Sequence, residues 1–257
     1  MVDFLDLEKI KWSKGHYGLA ECWVKIKVPS VSAVISEMIP DPELEEFIRS
    51  VGKEKADEIS KQAAYRGTAM HLFLENFLKV YSKSRDVSEA LSHTQKESPR
   101  ELLEKEVPQN KIDEGRDLFY NFYYSEHSNS FANLVGTELS IYSPTLFYRG
   151  KLDVFYVDKA FGYAVTDHKT SSSYIKEGST KEYKYKLQLG SYANALDEMY
   201  RDKGLVVKKA SILCMSTKSK IPQEVSCNGA ELEKYKEEFK TICREWHIKN
   251  KTDFLLK

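Results

Sequence analysis

Helical spacing of apolar residues dominates the first half of the chain, and alternation takes over near residue 130. Residues 17–28 end in alternation, Trp23-Val24-Lys25-Ile26-Lys27-Val28, which predicts a strand or hairpin arm. Pro29-Ser30-Val31-Ser32 then reads as a helix start with Ser30 as the N-cap. Residues 42–66 are charged with helical spacing, and residues 67–80 are apolar on most sides, which predicts a buried helix. Residues 81–110 are polar and poor in large apolar side chains. They read as an insertion, with one short helix after the capping-box pattern Ser98-Pro99-Arg100-Glu101. An amphipathic helix rich in Tyr and Phe follows over residues 111–127.

Three strands are expected at 134–142, 146–157 and 162–169, separated by turn signals at Ser143-Pro144-Thr145 and around Gly162. Residues 170–186, rich in Ser, Lys and Tyr, read as a loop. A helix over 187–202 and a strand over 205–217 come next. Asn228-Gly229-Ala230-Glu231 caps a last helix, whose Leu232, Tyr235, Phe239, Ile242 and Trp246 form a packing stripe. This order predicts a single α/β domain over residues 1–257. It would have a mainly helical N-terminal lobe (1–130, with the polar insertion 81–110) and an α/β core (131–257).

Composition narrows the partners. Apolar residues make up 41% of the 257, enough for a sizeable core, and charged residues make up 30%. The formal net charge is zero, which excludes a binder that works by bulk positive charge. The zero is polarised, however. Residues 1–144 hold 18 Lys and Arg against 24 Asp and Glu, whereas residues 145–257 hold 21 against 15. No apolar run is long enough to span a membrane. The first residues lack a targeting pattern, so a cytoplasmic location in a bacterial or phage-infected cell is expected. Cys22, Cys214, Cys227 and Cys243 form no Cys-x-x-Cys pair and are expected to be reduced, mostly buried thiols.

The candidate chemistry lies on the second and third predicted strands. Asp167 and Lys169 alternate onto one face. A hairpin centred on residue 160 pairs residues whose numbers add to 320, which sets Asp153 opposite Asp167. Like charges directly opposite are destabilising, so such a pair needs a proton, a cation or a metal beside it. Two carboxylates, a metal-bound water and a lysine suit phosphodiester hydrolysis.

Gly150-Lys151-Leu152-Asp153 followed by Asp167-His168-Lys169-Thr170 resembles the core of the PD-(D/E)XK nucleases. The likeness is to the RecB-like exonuclease branch, and within it to phage-type and mitochondrial genome maintenance exonucleases. Pro29-Ser30-Val31-Ser32, Arg66-Gly67-Thr68-Ala69-Met70-His71, Glu138 and Gln188-Leu189-Gly190-Ser191-Tyr192 resemble further motifs of that branch, in the same order. Leu152 stands where the family name has proline, and the four-cysteine cluster of some relatives is not reproduced, so no iron–sulfur cluster is expected.

The resemblance implies a restriction-endonuclease-like core, a central mixed sheet flanked by helices, with a helical N-terminal lobe. It implies Mg²⁺ as cofactor, with Mn²⁺ as a substitute, held by His71, Asp153, Asp167 and the main-chain carbonyl of His168. Lys169 would be the catalytic lysine, and Glu138 would assist the metal. Gln188 and Tyr192 would position the lysine, the water or the phosphate. Ser30, Ser32 and Arg66 would touch the DNA backbone. On residues alone, His71 and Glu75 share a helix face, where a histidine is more often a packed core residue. Tyr174, Tyr183 and Tyr185 interleave with Lys176, Lys181, Lys184 and Lys186, a pattern that suits stacked bases and tracked phosphates. The expected activity is a metal-dependent exonuclease on single-stranded DNA ends. The alternatives are a flap or branch endonuclease and an inactive DNA-binding protein on the same fold.

Overall fold

A computed structural model describes residues 12–13, 16–17 and 26–256. Its centre is a five-stranded mixed sheet in the order β4 (Leu134–Ser143), β5 (Tyr148–Asp158), β6 (Gly162–Ser171), β7 (Lys209–Ser216), β8 (Ser219–Asn228). Neighbours are antiparallel except β6 and β7, which run parallel across the α6 crossover (Thr180–Met199). Three two-residue strands, β1 (Trp12–Ser13), β2 (His16–Tyr17) and β3 (Ile26–Lys27), pair antiparallel in a small separate sheet. The predicted arm over 17–28 falls partly outside the described residues, as does Cys22.

Two cores cover the two faces of the large sheet. On one face lie α3 (Lys53–Ser84), α4 (Val87–Glu104) and α5 (Gln109–Tyr123), around Met70, Phe73, Leu118, Phe119 and Phe122 with Val154 and Leu213. On the other lie α1 (Val31–Met38), α6 and α7 (Gly229–Lys249), around Val34, Leu189, Leu196 and Phe239 with Phe155, Val165 and Ile212. Ser30 caps α1 as expected, its hydroxyl accepting from the Ala33 N–H at 3.1 Å. The charged stretch before α3 is a separate helix, α2 (Pro42–Val51), capped by Asp41. No helix among the described residues is long and apolar enough to cross a membrane.

Three expectations differ from the structure. The 81–110 stretch is mostly α4, which starts at Val87 under an Asp86 cap and holds Pro99 inside it. Its buried row is Ala90, Thr94, Ser98 and Leu102, spaced by four but mostly small, so hydrophobic periodicity does not reveal it. The 170–186 loop ends at Ser179, which caps α6 by accepting from the Glu182 N–H. Finally, the strand β8 was not expected. It is an edge strand with Pro222 and an exposed Ile221, the composition such strands use against mispairing.

Candidate functional site

Strand β5 runs between β4 and β6, and its registers to both set the site. Against β4, Val154 faces Thr137 and Leu152 faces Leu139, so Asp153 falls opposite Glu138. Against β6, pairs run from Asp158–Gly162 to Val154–Thr166, every one adding to 320, as the sequence predicts. The next step of that register sets Asp153 opposite Asp167. Three carboxylates thus fall in one row across three neighbouring strands.

At this row the β5–β6 ladder ends. Asp153 fills the gap, its Oδ2 accepting the His168 main-chain N–H at 2.6 Å. In an extended residue the N–H and C=O leave by the same edge, so the His168 carbonyl also faces the gap. Glu138 stands in the left-handed region at φ 56°, a strained setting for a non-glycine residue and one that gathers at functional sites.

Helix α3 supplies the histidine. Its Ala69 and Met70 are fully buried against α5, where a Cβ on Gly115 would meet the Ala69 Cβ at 2.4 Å. Only glycine permits that approach. Phe73 stacks on Phe119 with centroids 6.0 Å apart, and Phe77 packs against the same ring at a tilt, centroids 5.7 Å apart. His71, on the neighbouring face, places Nδ1 3.4 Å from Asp153 Oδ2. One donor atom each from His71, Glu138 and Asp153 lie within 4.8 Å of one another. The His168 ring packs edge-on against Phe122, and its Nδ1 is also 3.4 Å from Asp153 Oδ2.

The other face supplies the cation and its support. Lys169 forms an ion pair with Asp167. The Gln188 amide donates to the Tyr192 hydroxyl at 2.7 Å. The Tyr192 ring lies so close to β5 that a Cβ on Gly150 would meet it at 2.7 Å. Beside this ring opens a groove of about 620 Å³, lined by Ser30, Ser32, Ser140, Arg149, Lys151 and Tyr192.

The charges are in mutual tension. Burial raises the Glu138 carboxyl, as do the charges of Asp153 and Glu75, against the pull of its ion pair with Lys151. Burial also opposes ionisation of Asp153, but His71, His168 and Lys169 outweigh it and hold this carboxyl well below its usual range. Asp167 goes the other way: burial and the Asp153 charge raise it, although Lys169 draws it down. Lys169 is raised because Asp167 and Asp153 more than offset its burial. A divalent cation between Glu138, Asp153 and His71 would relieve the repulsion that raises Glu138. An oxygen-rich set with one imidazole is a fitting donor set for a hard ion of that kind.

The predicted site residues are therefore not all in one place. His71, Glu138 and Asp153 form the donor cluster, with the His168 main chain at the same gap. Asp167, expected as a ligand, is engaged with Lys169. Ser30 and Ser32 lie at the groove, their hydroxyls 3.1 Å apart. Arg66 is largely buried and faces Glu114 at 3.6 Å, not solvent. Tyr174 and Lys176 are exposed in the short loop before α6, and the Tyr174 hydroxyl donates to Ser219 Oγ at 3.0 Å. Tyr183, Lys184, Tyr185 and Lys186, expected in that loop, are on α6. There Lys184 pairs with Asp41 and Lys186 with Glu182 and Glu231. Sequence reasoning passed over Lys151, although its place two residues before Asp153 puts it on the same side of β5.

A family model described as the PD-(D/E)XK nuclease superfamily matches residues 46–254. No curated protein matches the sequence. Among solved structures, similarity extends to a protein from Eubacterium rectale named "Putative exonuclease". It shows 10% identity and a TM-score of 0.42 over 70% of this chain and 68% of that one. A protein named SSO0001 is similar at 15% identity and a TM-score of 0.30, over 67% of this chain and 74% of the other.

Proposed function

The chain belongs to the PD-(D/E)XK nuclease superfamily, and from that premise we propose that it is a Mg²⁺-dependent exonuclease working on single-stranded DNA ends. Membership supports nuclease activity on DNA, and nucleases of this superfamily use divalent metals. The observation that carries the reading is the row Glu138, Asp153 and Asp167 across three strands, with His71 on one side and Lys169 on the other.

His71, Glu138 and Asp153 would hold the ion, with Asp167 and the His168 carbonyl as neighbouring donors. When bound, the metal supplies Lewis-acid polarisation of the phosphate and a more acidic water. Lys169, oriented by Asp167, acts as a fixed ammonium that stabilises negative charge developing on the phosphate. The buried Tyr192, held by Gln188, lines the groove beside the reacting centre. Arg149 and Lys151 bring positive charge to the groove that would take the DNA backbone, and Ser30 and Ser32 bring hydroxyls. The single-strand preference is supported by the exposed Tyr174, which offers a face for base stacking.

The test uses end-labelled linear single strands, circular single strands, duplexes and flapped duplexes, each with Mg²⁺, Mn²⁺ or EDTA. The expected result is metal-dependent shortening of linear single strands, with circles intact. Cleavage of circles or flap junctions would make the protein an endonuclease, and cleavage of none would overturn the enzyme reading.

A further inference from the structure

We propose that the groove between the end of α5 and the start of β8 is a stacking track for single-stranded DNA, continuous with the reaction centre. The inference rests on the nuclease reading above and extends it to a surface outside the metal cluster. The groove encloses about 420 Å³ and is lined by Tyr120, Tyr124, His127, Lys220 and Ile221, with Glu126 as its carboxylate.

Its walls offer what a single strand needs. Tyr124 is 78% exposed and its ring is stacked on Tyr120, centroids 5.8 Å apart and planes within 17°. Tyr120 is fixed in turn by the Gln95 amide, which lies 2.6 Å from its hydroxyl. A flat, immobilised aromatic presented to solvent is a platform on which any base can stack. Ile221, 74% exposed, lies across the groove from it. Lys218 in the β7–β8 turn, Lys220 on β8 and Lys176 in the loop before α6 are exposed and make no ion pair among the described residues. Glu126 lines the groove, and Asp117 lies one turn before Asn121 on α5, so the lysines face some acidic charge as well.

Continuity with the site comes from β6 and β7. Ser171 is two residues beyond Lys169, about 7 Å along the strand. Its carbonyl accepts the Thr217 N–H at 3.3 Å, which is where the β7–β8 turn begins. Tyr174 is tied to that turn through Ser219, and Asn121 of α5 reaches the Ser219 carbonyl at 3.4 Å. Ser219 thus joins the Tyr174 loop, the β7–β8 turn and α5 at one place, and on this proposal a strand leaving Lys169 would pass Tyr174 before Tyr124.

The test is fluorescence anisotropy of a labelled 20-nucleotide oligo(dT) in EDTA, which prevents cleavage, with the full chain. Tyr124→Ala should weaken binding about 10-fold, and Tyr124→Phe should retain it, because stacking needs the ring and not the hydroxyl. Lys220→Ala should lower the salt dependence of binding by about one phosphate contact. Phe161→Ala removes a partly exposed aromatic at the β5–β6 turn, away from the track, and should bind as wild type does. If the wild type binds and Tyr124→Ala binds equally well, the track is wrong and the nuclease reading stands. A Tyr124→Ala variant that changes oligomeric state on size exclusion, with DNA affinity intact, would make the patch a protein interface and overturn the proposal. If the wild type neither binds nor cleaves single strands, both readings fall.

Discussion

The two halves of the β5–β6 hairpin are built by different means. From its turn to Val154 and Thr166 the strands pair in unbroken register, and Val154, Phe155, Tyr156, Ala164 and Val165 are each at most 2% exposed. From Asp153 and Asp167 outward, β5 pairs with β4 and β6 pairs with β7. The open half is held by borrowed partners. Asp153 takes the His168 N–H, the Arg149 N–H donates to the Pro29 carbonyl, and the ring of Tyr192 fills the space beside Gly150. The turn ahead of β5 is tied down by His247, whose ring meets the Leu146 carbonyl at 2.8 Å. An unfinished ladder leaves main-chain polar groups and carboxylates turned toward one point, and that point is where the proposed metal-dependent reaction would run. A finished ladder cannot offer that.

Substitutions in the two halves should therefore fail differently. Lys169→Ala in the open half is expected to cut DNA cleavage by about 10³-fold, the scale of losing a charge-stabilising group in a reaction centre. The comparison is made on the folded fraction, because removing Lys169 leaves the buried Asp167 without its cation and lowers the melting temperature too. Comparable cleavage by the variant would remove Lys169 from the mechanism. In the paired half, Phe155→Ala should cost about 3–5 kcal/mol of stability by urea unfolding. Its folded fraction should cleave at close to the wild-type rate, and a rate loss matching that of Lys169→Ala would erase the contrast.

A smaller effect is expected at Gly150→Ala. The added methyl meets the Tyr192 ring and costs about 1–3 kcal/mol of overpacking. Activity should drop along with it, because the displaced ring borders the groove. Stability lost with activity unchanged would mean that Tyr192 only fills space.

The smallest effect concerns His247, fully buried and held below its ordinary pKa by burial. The unfolded chain takes up this proton first as pH falls through about 6.5. Stability is then fully present above that pH and declines below it. The decline in melting temperature between pH 7.5 and 5.5 should be shallower in His247→Gln than in wild type. Identical slopes would place the acid sensitivity elsewhere.

The hairpin was legible in the sequence because its turn signals and alternation fix a register, and that register alone aligned Asp153 with Asp167. The Ser30 cap and the α7 stripe were legible for similar local reasons. Helix α4 was not, because its inner row is Ala, Thr, Ser and Leu and it packs closely on α3 through the hydrogen bond from Asn76 to Ser98. The early start of α6 had a local signal in Ser179-Thr180-Lys181-Glu182 that the surrounding Tyr and Lys obscured. The division of labour at the site was less accessible still. Whether Asp167 turns to the metal cluster or to Lys169, and whether Glu138 joins His71 and Asp153, depends on where the ladder ends and on the left-handed turn at Glu138. Neither has a residue-type signature.

The most direct test of the open half as a metal centre is a Mn²⁺ titration followed by electron paramagnetic resonance, in wild type and in Asp153→Asn. Asparagine can still accept the His168 N–H, so the fold should be kept while one charged donor is lost. Saturable binding in wild type that is lost or weakened at least about tenfold in the variant is the predicted result, since even an outer-shell partner of a metal costs about that much when lost. Equal binding by both proteins would contradict it.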